Sequence, residues 1–222
     1  MTMQAQPKLK GSGKVFDKPW LERITRTHIA VPVTIFFMYA GALLWWSILN
    51  TAIPGWQTAG LFFLGLFIFT WVEYNVHRFL FHMPTTTPAR KRFQYIMHGV
   101  HHEYPKDKER IAMPPLLSIS ISTGLLLVMR LVLGDYSFAS LAGFLVGYAA
   151  YLSVHYIIHV YTPPKNFLKA LWKNHVKHHY KEADVAFGVT TAFWDYVYGT
   201  KVHKRDPYKY DVKQNLKSDF SQ

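Results

Sequence analysis

The chain of 222 residues contains no cysteine. Disulfides, thiolate nucleophiles and cysteine-held metal clusters are therefore excluded, and any metal site must use nitrogen or oxygen ligands. Charge is also scarce, because Asp, Glu, Lys and Arg make up 17% of the residues, against roughly 25% in soluble domains. Hydrophobic residues make up 50% of the chain, and their arrangement indicates the class of protein.

Four long segments are nearly free of charge. They cover approximately residues 30–49, 58–76, 113–134 and 137–158, and each approaches the roughly 20 residues that a helix needs to cross a bilayer. Buried helices of a soluble protein are the alternative, but such helices normally carry a polar stripe. No short apolar run with a cleavage site precedes the first segment, so we expect no cleavable signal peptide. The sequence predicts an all-α integral membrane protein with four transmembrane helices in two hairpins.

Lysine and arginine are missing from the two connectors that join the spans within each hairpin. They number six before the first span, six in residues 83–112 and eleven after residue 160. Because cytoplasmic loops are enriched in Lys and Arg, we expect both termini and the middle connector in the cytoplasm. The net charge of +12 is then assigned to contacts with anionic lipid headgroups rather than with nucleic acid, for which the chain has no motif.

Ten of the 12 histidines lie at the predicted cytoplasmic end of the second or fourth span or in the segment that follows it. They form two H-x-x-H-H motifs, each preceded by two further histidines. The ten residues are His77, His82, His98, His101, His102, His155, His159, His175, His178 and His179. Four of the corresponding pairs, from 82/159 to 102/179, share an offset of 77 residues. The chain is therefore predicted to contain two halves of one plan, each a hairpin followed by a segment of a cytoplasmic helical cap.

The spacing within each motif suits metal binding. Residues i, i+3 and i+4 lie on one face of a helix, so the three histidines of a motif can point the same way. His77 and His82 are five residues apart, which requires either a distorted helix or an approach from different angles. Neutral imidazole binds iron, zinc and copper. Two ions with four or five nitrogens each fit the count, which predicts a di-metal centre at the membrane–cytosol boundary. The remaining His28 and His203 are interpreted as solvated or interfacial side chains.

The histidine set resembles that of the fatty acid hydroxylase and sterol desaturase superfamily of membrane non-haem di-iron enzymes. The stretch "HGVHHEYPKDKERIAMPP" (98–115) is similar to the fatty acid 2-hydroxylase branch. In that branch the second histidine cluster is followed by the residues that stand here as Pro105, Asp107, Arg110, Pro114 and Pro115. The stretch "FGVTTAFWDYVYGT" (187–200) resembles the closing motif of the same branch. The resemblance covers roughly residues 70–200.

The resemblance implies an enzyme that hydroxylates a lipid acyl chain with two iron ions, O2 and electrons from an external carrier. Zinc could replace iron in a purified protein. The implied substrate is a fatty acid or the N-acyl chain of a sphingolipid, oxidised at position 2. Since about 29 residues precede the first span, too few for the fused cytochrome b-type domain of eukaryotic members, we expect a separate electron-transfer protein. For the same reason we favour a bacterial inner membrane over the endoplasmic reticulum.

Two other functions stay open at this point. A sterol or carotenoid hydroxylase or desaturase of the same superfamily would use the same histidines. A non-enzymatic metal-binding or metal-transport membrane protein would also need them, although a transporter is expected to carry ionisable ligands near the middle of its spans. The centres of these spans carry none.

Three residues outside the histidine set are candidates for supporting roles. Glu73, four residues before His77, and Asp195 in the closing motif could each accept the free N–H of a ligating histidine. Arg110 could contact a lipid headgroup. The predicted organisation is a cytoplasmic N-terminal segment (1–29), a membrane-embedded hydroxylase domain (30–206) and a polar tail (207–222).

Overall fold

The computed structural model describes residues 7–202, and this part of the chain is helical without a β-strand. Two π-helical segments, Val76–Phe81 and Tyr95–Gly99, directly follow α3 and α4. His203 and the predicted tail 207–222 lie outside the described residues. The α-helices are α1 (Pro19–Ile24), α2 (Ala30–Asn50), α3 (Gly55–Asn75), α4 (Pro88–Gln94), α5 (Val100–Glu103), α6 (Pro115–Leu133), α7 (Tyr136–Val160), α8 (Lys169–Tyr180) and α9 (Phe193–Val197).

Four helical stretches are long and apolar enough to cross a membrane. They are Ala30–Asn50, Gly55–Phe81, Pro115–Leu133 and Tyr136–Val160, and the short connections within each pair confirm the predicted two hairpins. Many of their apolar side chains point outward: Leu131 is 88% exposed and Met38 is 70% exposed. Apolar surface of this extent is unfavourable in water and suits contact with lipid. The chain is therefore an all-α, multi-pass membrane protein, as the sequence predicted.

The described residues divide into two compact units. The membrane unit comprises residues 16–72 and 109–153, and the histidine unit comprises residues 7–15, 73–108 and 154–202. Within the membrane unit, α3 and α7 approach closely at glycines. A Cβ atom on Gly143 would lie 1.8 Å from the carbonyl oxygen of Phe62, and one on Gly65 would lie 1.9 Å from that of Ser140. Residues without a side chain permit this backbone approach, as at other close helix contacts in membranes.

Within the histidine unit, the N-terminal segment 8–15 packs against the chain around the first H-x-x-H-H motif. The ammonium group of Lys8 donates to the carboxylate of Glu103 at 2.7 Å. A Cβ atom on Gly13 would lie 2.4 Å from Cγ2 of Val100, which is inside that motif. The predicted N-terminal segment thus supplies part of the packing around the histidines.

Proline and threonine mark where helices begin. Thr87 caps α4, because its Oγ1 accepts the backbone N–H of Arg90 at 3.2 Å, and Pro88 occupies the first helical position. The long helix α6 likewise begins at Pro115, directly after Pro114. These local signals end the irregular connections and fix where the neighbouring helices start.

Candidate metal centre

The ten predicted histidines come together in the histidine unit as two groups of five. Within each group, the candidate ligand nitrogens all lie within 4.8 Å of one another. The first group contains His77, His82, His98, His102 and His178. The second group contains His101, His155, His159, His175 and His179. Each group could therefore hold one metal ion.

The distances between ring nitrogens match those between ligands of a common ion. In the first group, Nε2 of His98 lies 3.1 Å from Nε2 of His77 and 2.9 Å from that of His102. In the second group, Nε2 of His159 lies 2.8 Å from that of His175. A metal–imidazole bond of about 2.1 Å sets two nitrogens at a right angle about 3.0 Å apart. The separations fit neighbouring positions around an ion.

Hydrogen bonds between the rings do not account for these contacts. The Nε2 atoms of His101, His155 and His159 form a triangle with sides of 3.0 and 3.1 Å. A neutral ring nitrogen either donates or accepts, so at least one side of the triangle joins two atoms of the same kind. Both ring nitrogens of His179 are buried and have no hydrogen-bond partner. Lone pairs directed at a shared cation account for the triangle and for one of the two unpartnered nitrogens of His179, and the donor set fits a metal ion.

The middle histidine of each motif lies in the group built mainly by the other half of the chain. His101 joins the second group and His178 joins the first, so the three histidines of a motif do not share one target. Adjacent residues on a helix project about 100° apart. His98 and His102, which are i and i+4, stay together while His101 diverges. This arrangement corrects the expectation that all three point the same way, and the exchanged pair is itself related by the 77-residue offset.

The five-residue spacing of His77 and His82 is accommodated by a π-helix. The backbone N–H of His82 donates to the carbonyl of His77 at 3.2 Å, an i to i−5 bond that widens the turn. Both rings therefore reach the first group from one side of the helix. Of the two possibilities that the sequence left open, the distorted helix is the one observed. π-Helical turns are frequent at functional sites.

Two backbone carbonyls orient two histidines of the first group. The carbonyl of Phe187 lies 2.6 Å from Nδ1 of His77, and that of Val185 lies 2.8 Å from Nδ1 of His178. A carbonyl can only accept, so each Nδ1 carries the proton and each Nε2 keeps its lone pair for a metal. We call residues 185–190 the carbonyl clip. Ala186 between the two carbonyls has φ of 57°, a left-handed conformation that is uncommon outside glycine.

The carboxylate of Glu73 holds the far end of the carbonyl clip. Its Oε1 accepts the backbone N–H groups of Val189 at 2.7 Å and Thr190 at 2.9 Å, and its Oε2 accepts the hydroxyl of Thr190. The direct contact expected between Glu73 and a histidine N–H is thus replaced by an indirect one. Glu73 fixes the backbone, and the backbone carbonyl of Phe187 contacts His77.

Asp195 holds the middle of the same segment. Its two carboxylate oxygens accept the backbone N–H groups of Phe187 at 2.9 Å and Gly188 at 2.8 Å. A Cβ atom on Gly188 would lie 2.0 Å from the carbonyl oxygen of Thr191, so this tight turn requires glycine. The roles of the clip carbonyls were not foreseen, although the sequence marked the start of the closing motif at Phe187.

Burial keeps the rings outside the spans neutral. Desolvation, and secondarily the proximity of His77, lowers the pKa of His82 and that of His101 to about 3. Burial is also the main cause of a pKa well below the usual range for His175 and His179. Neutral imidazole is the form that binds metal, so the enclosure of the rings favours the ligand state at physiological pH.

Arg110, which is predicted to contact a lipid headgroup, is enclosed by protein side chains. Its side chain is only 4% exposed and forms an ion pair with Glu22, and its Nη1 donates to the hydroxyl of Thr25 at 2.7 Å. An enclosed guanidinium that is bound by a carboxylate and a hydroxyl offers little surface to lipid. Sequence patterns do not indicate this pairing, because 88 residues separate Arg110 from Glu22. His28 lies outside both histidine groups and is exposed, as expected.

Comparison with known proteins gives a consistent set of relatives. The profile of the fatty acid hydroxylase family matches residues 62–200. Ceramide very long chain fatty acid hydroxylase scs7 of Schizosaccharomyces pombe is 38% identical over 202 residues, 86% of this chain and 55% of that protein. Fatty acid 2-hydroxylase of Homo sapiens is 37% identical over 155 residues, 68% of this chain and 42% of that protein. Dihydroceramide fatty acyl 2-hydroxylase FAH1 of Arabidopsis thaliana is 33% identical over 147 residues, 66% of this chain and 62% of that protein. The chain spans about half the length of these relatives.

A solved structure has the same fold. Described as full-length scs7p with only the hydroxylase domain visible, it matches with a TM-score of 0.81 and 32% identity, over 90% of this chain and 76% of that one. The family match includes both histidine groups and the carbonyl clip. The resemblance carried by the histidine motifs is therefore confirmed, and the chain belongs to the fatty acid hydroxylase family.

Proposed function

We propose that the protein hydroxylates a lipid acyl chain at the carbon next to its carbonyl, in a fatty acid or in the N-acyl chain of a sphingolipid. The observation that carries the proposal is the convergence of ten histidines into two groups of five in a chain of the fatty acid hydroxylase family. The names of the relatives support the substrate class, since they are ceramide fatty acid, fatty acid 2- and dihydroceramide fatty acyl 2-hydroxylases.

In this proposal each group of five histidines holds one iron ion. Iron held there supplies the activation of O2 for insertion of one oxygen atom into a C–H bond. The overall reaction consumes R–H, O2, two electrons and two protons, and it yields R–OH and water. Zinc is expected to occupy the same sites when iron is limiting during expression, because imidazole sites bind Zn²⁺ well.

The chain's own part is to keep the ligand nitrogens available and fixed. The carbonyls of Val185 and Phe187 hold the Nδ1 protons of His178 and His77, which leaves the opposite nitrogens free to bind. Glu73 prevents the carbonyl clip from moving away. Burial of the rings also limits the access of water to the metal ligands.

The depth of the ligands in the membrane supports oxidation close to the lipid headgroup. A helix crosses the hydrocarbon core in about 20 residues, and His155 is the twentieth residue of the span Tyr136–Val160. His77 likewise falls near the end of the span Gly55–Phe81. A lipid keeps its polar head at this level, so the carbon nearest the metals is one of the first of the acyl chain. Oxidation in the middle of the chain would require the tail to bend back towards the headgroup.

Electrons are proposed to come from a separate carrier protein. The chain has no cysteine to hold an iron–sulfur cluster, and ten of its 12 histidines lie in the two groups. An acidic carrier would be attracted to the Lys- and Arg-rich segments, which would also contact anionic lipid headgroups.

The distribution of Lys and Arg supports a cytoplasmic location for both termini. The bacterial inner membrane favoured from the sequence gains no support, because the relatives named above are eukaryotic.

Lipid analysis tests the proposed reaction. The protein and its His178→Ala variant would be expressed in a host without 2-hydroxylated lipids, and fragmentation mass spectrometry would locate the new hydroxyl group. We expect 2-hydroxyacyl lipids in cells that express the unchanged protein and none in cells that express the His178→Ala variant. A hydroxyl group many carbons from the carbonyl, or on a sterol or carotenoid, would reject the position and favour another activity of the superfamily.

Three further measurements test the centre, the electron source and the topology. Elemental analysis should find close to two transition-metal ions per chain, and one ion in a fully active preparation would contradict the di-metal proposal. Sustained turnover by purified protein with O2, lipid and NAD(P)H alone would contradict the need for a carrier. Tags at residues 1 and 222 should both be inaccessible from outside intact cells, and labelling of either tag would reject the topology.

A further inference from the structure

The short helix α9 presents an apolar face outward. Phe193 is 51% exposed, Tyr196 is 71% exposed and Val197 is 52% exposed. These residues are i, i+3 and i+4 of a helix, so their side chains project from the same face. Asp195, on the opposite face, is 1% exposed and holds the carbonyl clip. An outward cluster of one aliphatic and two aromatic side chains needs a partner that removes it from water.

The position of α9 along a membrane-spanning helix identifies that partner. Tyr198, the residue after α9, stacks on Tyr74 with a centroid distance of 5.0 Å and an interplanar angle of 10°. The hydroxyl groups of Tyr74 and Thr200 lie 2.8 Å apart. Tyr74 is the twentieth residue of the span Gly55–Phe81, and about 20 residues cross the hydrocarbon core. Tyr74 therefore lies at the boundary between acyl chains and headgroups, and α9 lies beside it.

The side chains around α9 have the chemistry of that boundary. The ammonium group of Lys201 lies 4.6 Å from the ring centre of Tyr196. The guanidinium of Arg78 donates to the hydroxyl of Tyr74 at 2.9 Å and lies 4.9 Å from the ring centre of Phe79. Aromatic rings are enriched at the membrane interface, and long cationic side chains extend from it towards the headgroups. Apolar rings with cations at their edge match an anionic or zwitterionic lipid surface.

We propose that α9 is an interfacial anchor whose outward face, formed by Phe193, Tyr196 and Val197, inserts among the lipids at the headgroup–acyl boundary. The anchor lies in the plane of the membrane rather than across it. Because Asp195 on its inner face holds the backbone of Phe187 and Gly188, the bilayer contact supports the segment whose carbonyls orient two histidines. The lipid surface thereby becomes part of what positions the first histidine group.

Site-directed spin labelling tests this anchor directly. The chain has no cysteine, so a single introduced cysteine is the only labelling site. Phe193→Cys, Tyr196→Cys and Val197→Cys would each be labelled with a nitroxide in nanodiscs of phosphatidylcholine and phosphatidylserine. Collisions with O2, which concentrates in lipid, would be compared with collisions with a water-soluble nickel chelate. Lys10→Cys, at an exposed polar position, is the matched label in water.

We expect the three α9 labels to gain O2 accessibility and to lose nickel accessibility relative to Lys10→Cys. Nickel accessibility equal to that of the Lys10 label at two or more of the three positions would overturn the proposal. Protection from both reagents together with spin–spin broadening would also overturn it, because that result would indicate a second copy of the chain on this face. Since the measurement needs no substrate and no turnover, its outcome is independent of the proposed hydroxylase activity.

Discussion

Replacement of Glu73 by alanine should remove metal from one histidine group and spare the other. The substitution leaves the backbone N–H groups of Val189 and Thr190 without their acceptor, and Val189 is 1% exposed. A buried donor without a partner costs about 1–3 kcal/mol, so the loss of the acceptor of the buried Val189 N–H destabilises the carbonyl clip by about 1–3 kcal/mol, and the partly exposed Thr190 N–H adds less. This destabilisation favours local opening of the clip, and the opening moves the carbonyls of Phe187 and Val185 away from His77 and His178.

The loss is specific because the two clip carbonyls that orient rings, those of Phe187 and Val185, bind His77 and His178 of the first group. Loss of a partner that orients a ligating histidine typically lowers metal affinity about 10–100-fold. Purified protein would be dialysed against a chelator of graded strength and its metal content measured. We expect the unchanged protein to keep two ions per chain under conditions in which Glu73→Ala keeps close to one.

Two control variants separate this effect from general destabilisation. Glu73→Gln retains a carbonyl oxygen that can accept a backbone N–H, so it should release the first ion less readily than Glu73→Ala. Glu109→Ala removes a carboxylate that is 58% exposed and belongs to the membrane unit, and it should release metal like the unchanged protein. Retention of both ions by Glu73→Ala, or parallel loss of both, would refute the assignment of the clip to one group.

Two more substitutions and one change of pH test the exchange of histidines, the helix packing and the buried rings. His101→Ala should empty one ligand position in the second group, although the motif of His101 belongs to the first half of the chain. The hydroxylated lipid should then be lost, and metal analysis should show weakened retention of the ion held with His155. Unchanged metal retention and activity would contradict the exchange. Gly143→Leu should prevent the close approach of α3 and α7, because even a Cβ atom would lie 1.8 Å from the carbonyl of Phe62. The yield of folded protein in gel filtration should therefore fall sharply. Gly124→Ala, whose added Cβ atom meets nothing within 4 Å, should give the yield of the unchanged protein. Acid should destabilise the metal-free protein, because the folded-state pKa of His82 and that of His101 lie near 3, below the usual 6.5. Unfolding therefore takes up protons below pH 6.5, and the free energy of unfolding should fall by about 1.4 kcal/mol per pH unit for each such ring. Denaturant titration at pH 7.5, 6 and 5 would measure this fall.

The spans were predictable because their signal is local and strong. An uncharged apolar run of about 20 residues is typical of a helix that crosses a bilayer, and each of the four predicted segments contains such a helix. The second span is longer than the predicted 58–76, since it continues to Phe81. Its last turn carries Arg78 and leads directly to His82, and these polar residues end the apolar run before the helix ends. Hydropathy therefore located the core of the span and missed the π-helical turn that positions two histidines.

The membership of the histidine set and the presence of two groups were predictable, and the assignment of each histidine to a group was not. Ten histidines in two similarly spaced sets indicate convergence, but spacing alone treats i, i+3 and i+4 as one face. The rotation between adjacent residues, which sends His101 and His102 to different groups, matters only once two targets lie side by side. The roles of the Val185 and Phe187 carbonyls could not be predicted from the sequence either, because every residue has a carbonyl and only the folded backbone shows which ones face a ring.

The exchange of His101 and His178 has a consequence for how the protein is assembled. Residues up to 102 supply four histidines of the first group and one of the second, and residues from 155 onward supply the converse. Two subunits related by a two-fold interface exchange residues in this reciprocal way. Here the two halves of one polypeptide do so. A chain synthesised only through its first half can complete neither group of five. Completion of either group of five candidate metal ligands must therefore wait until the second half has been inserted and folded.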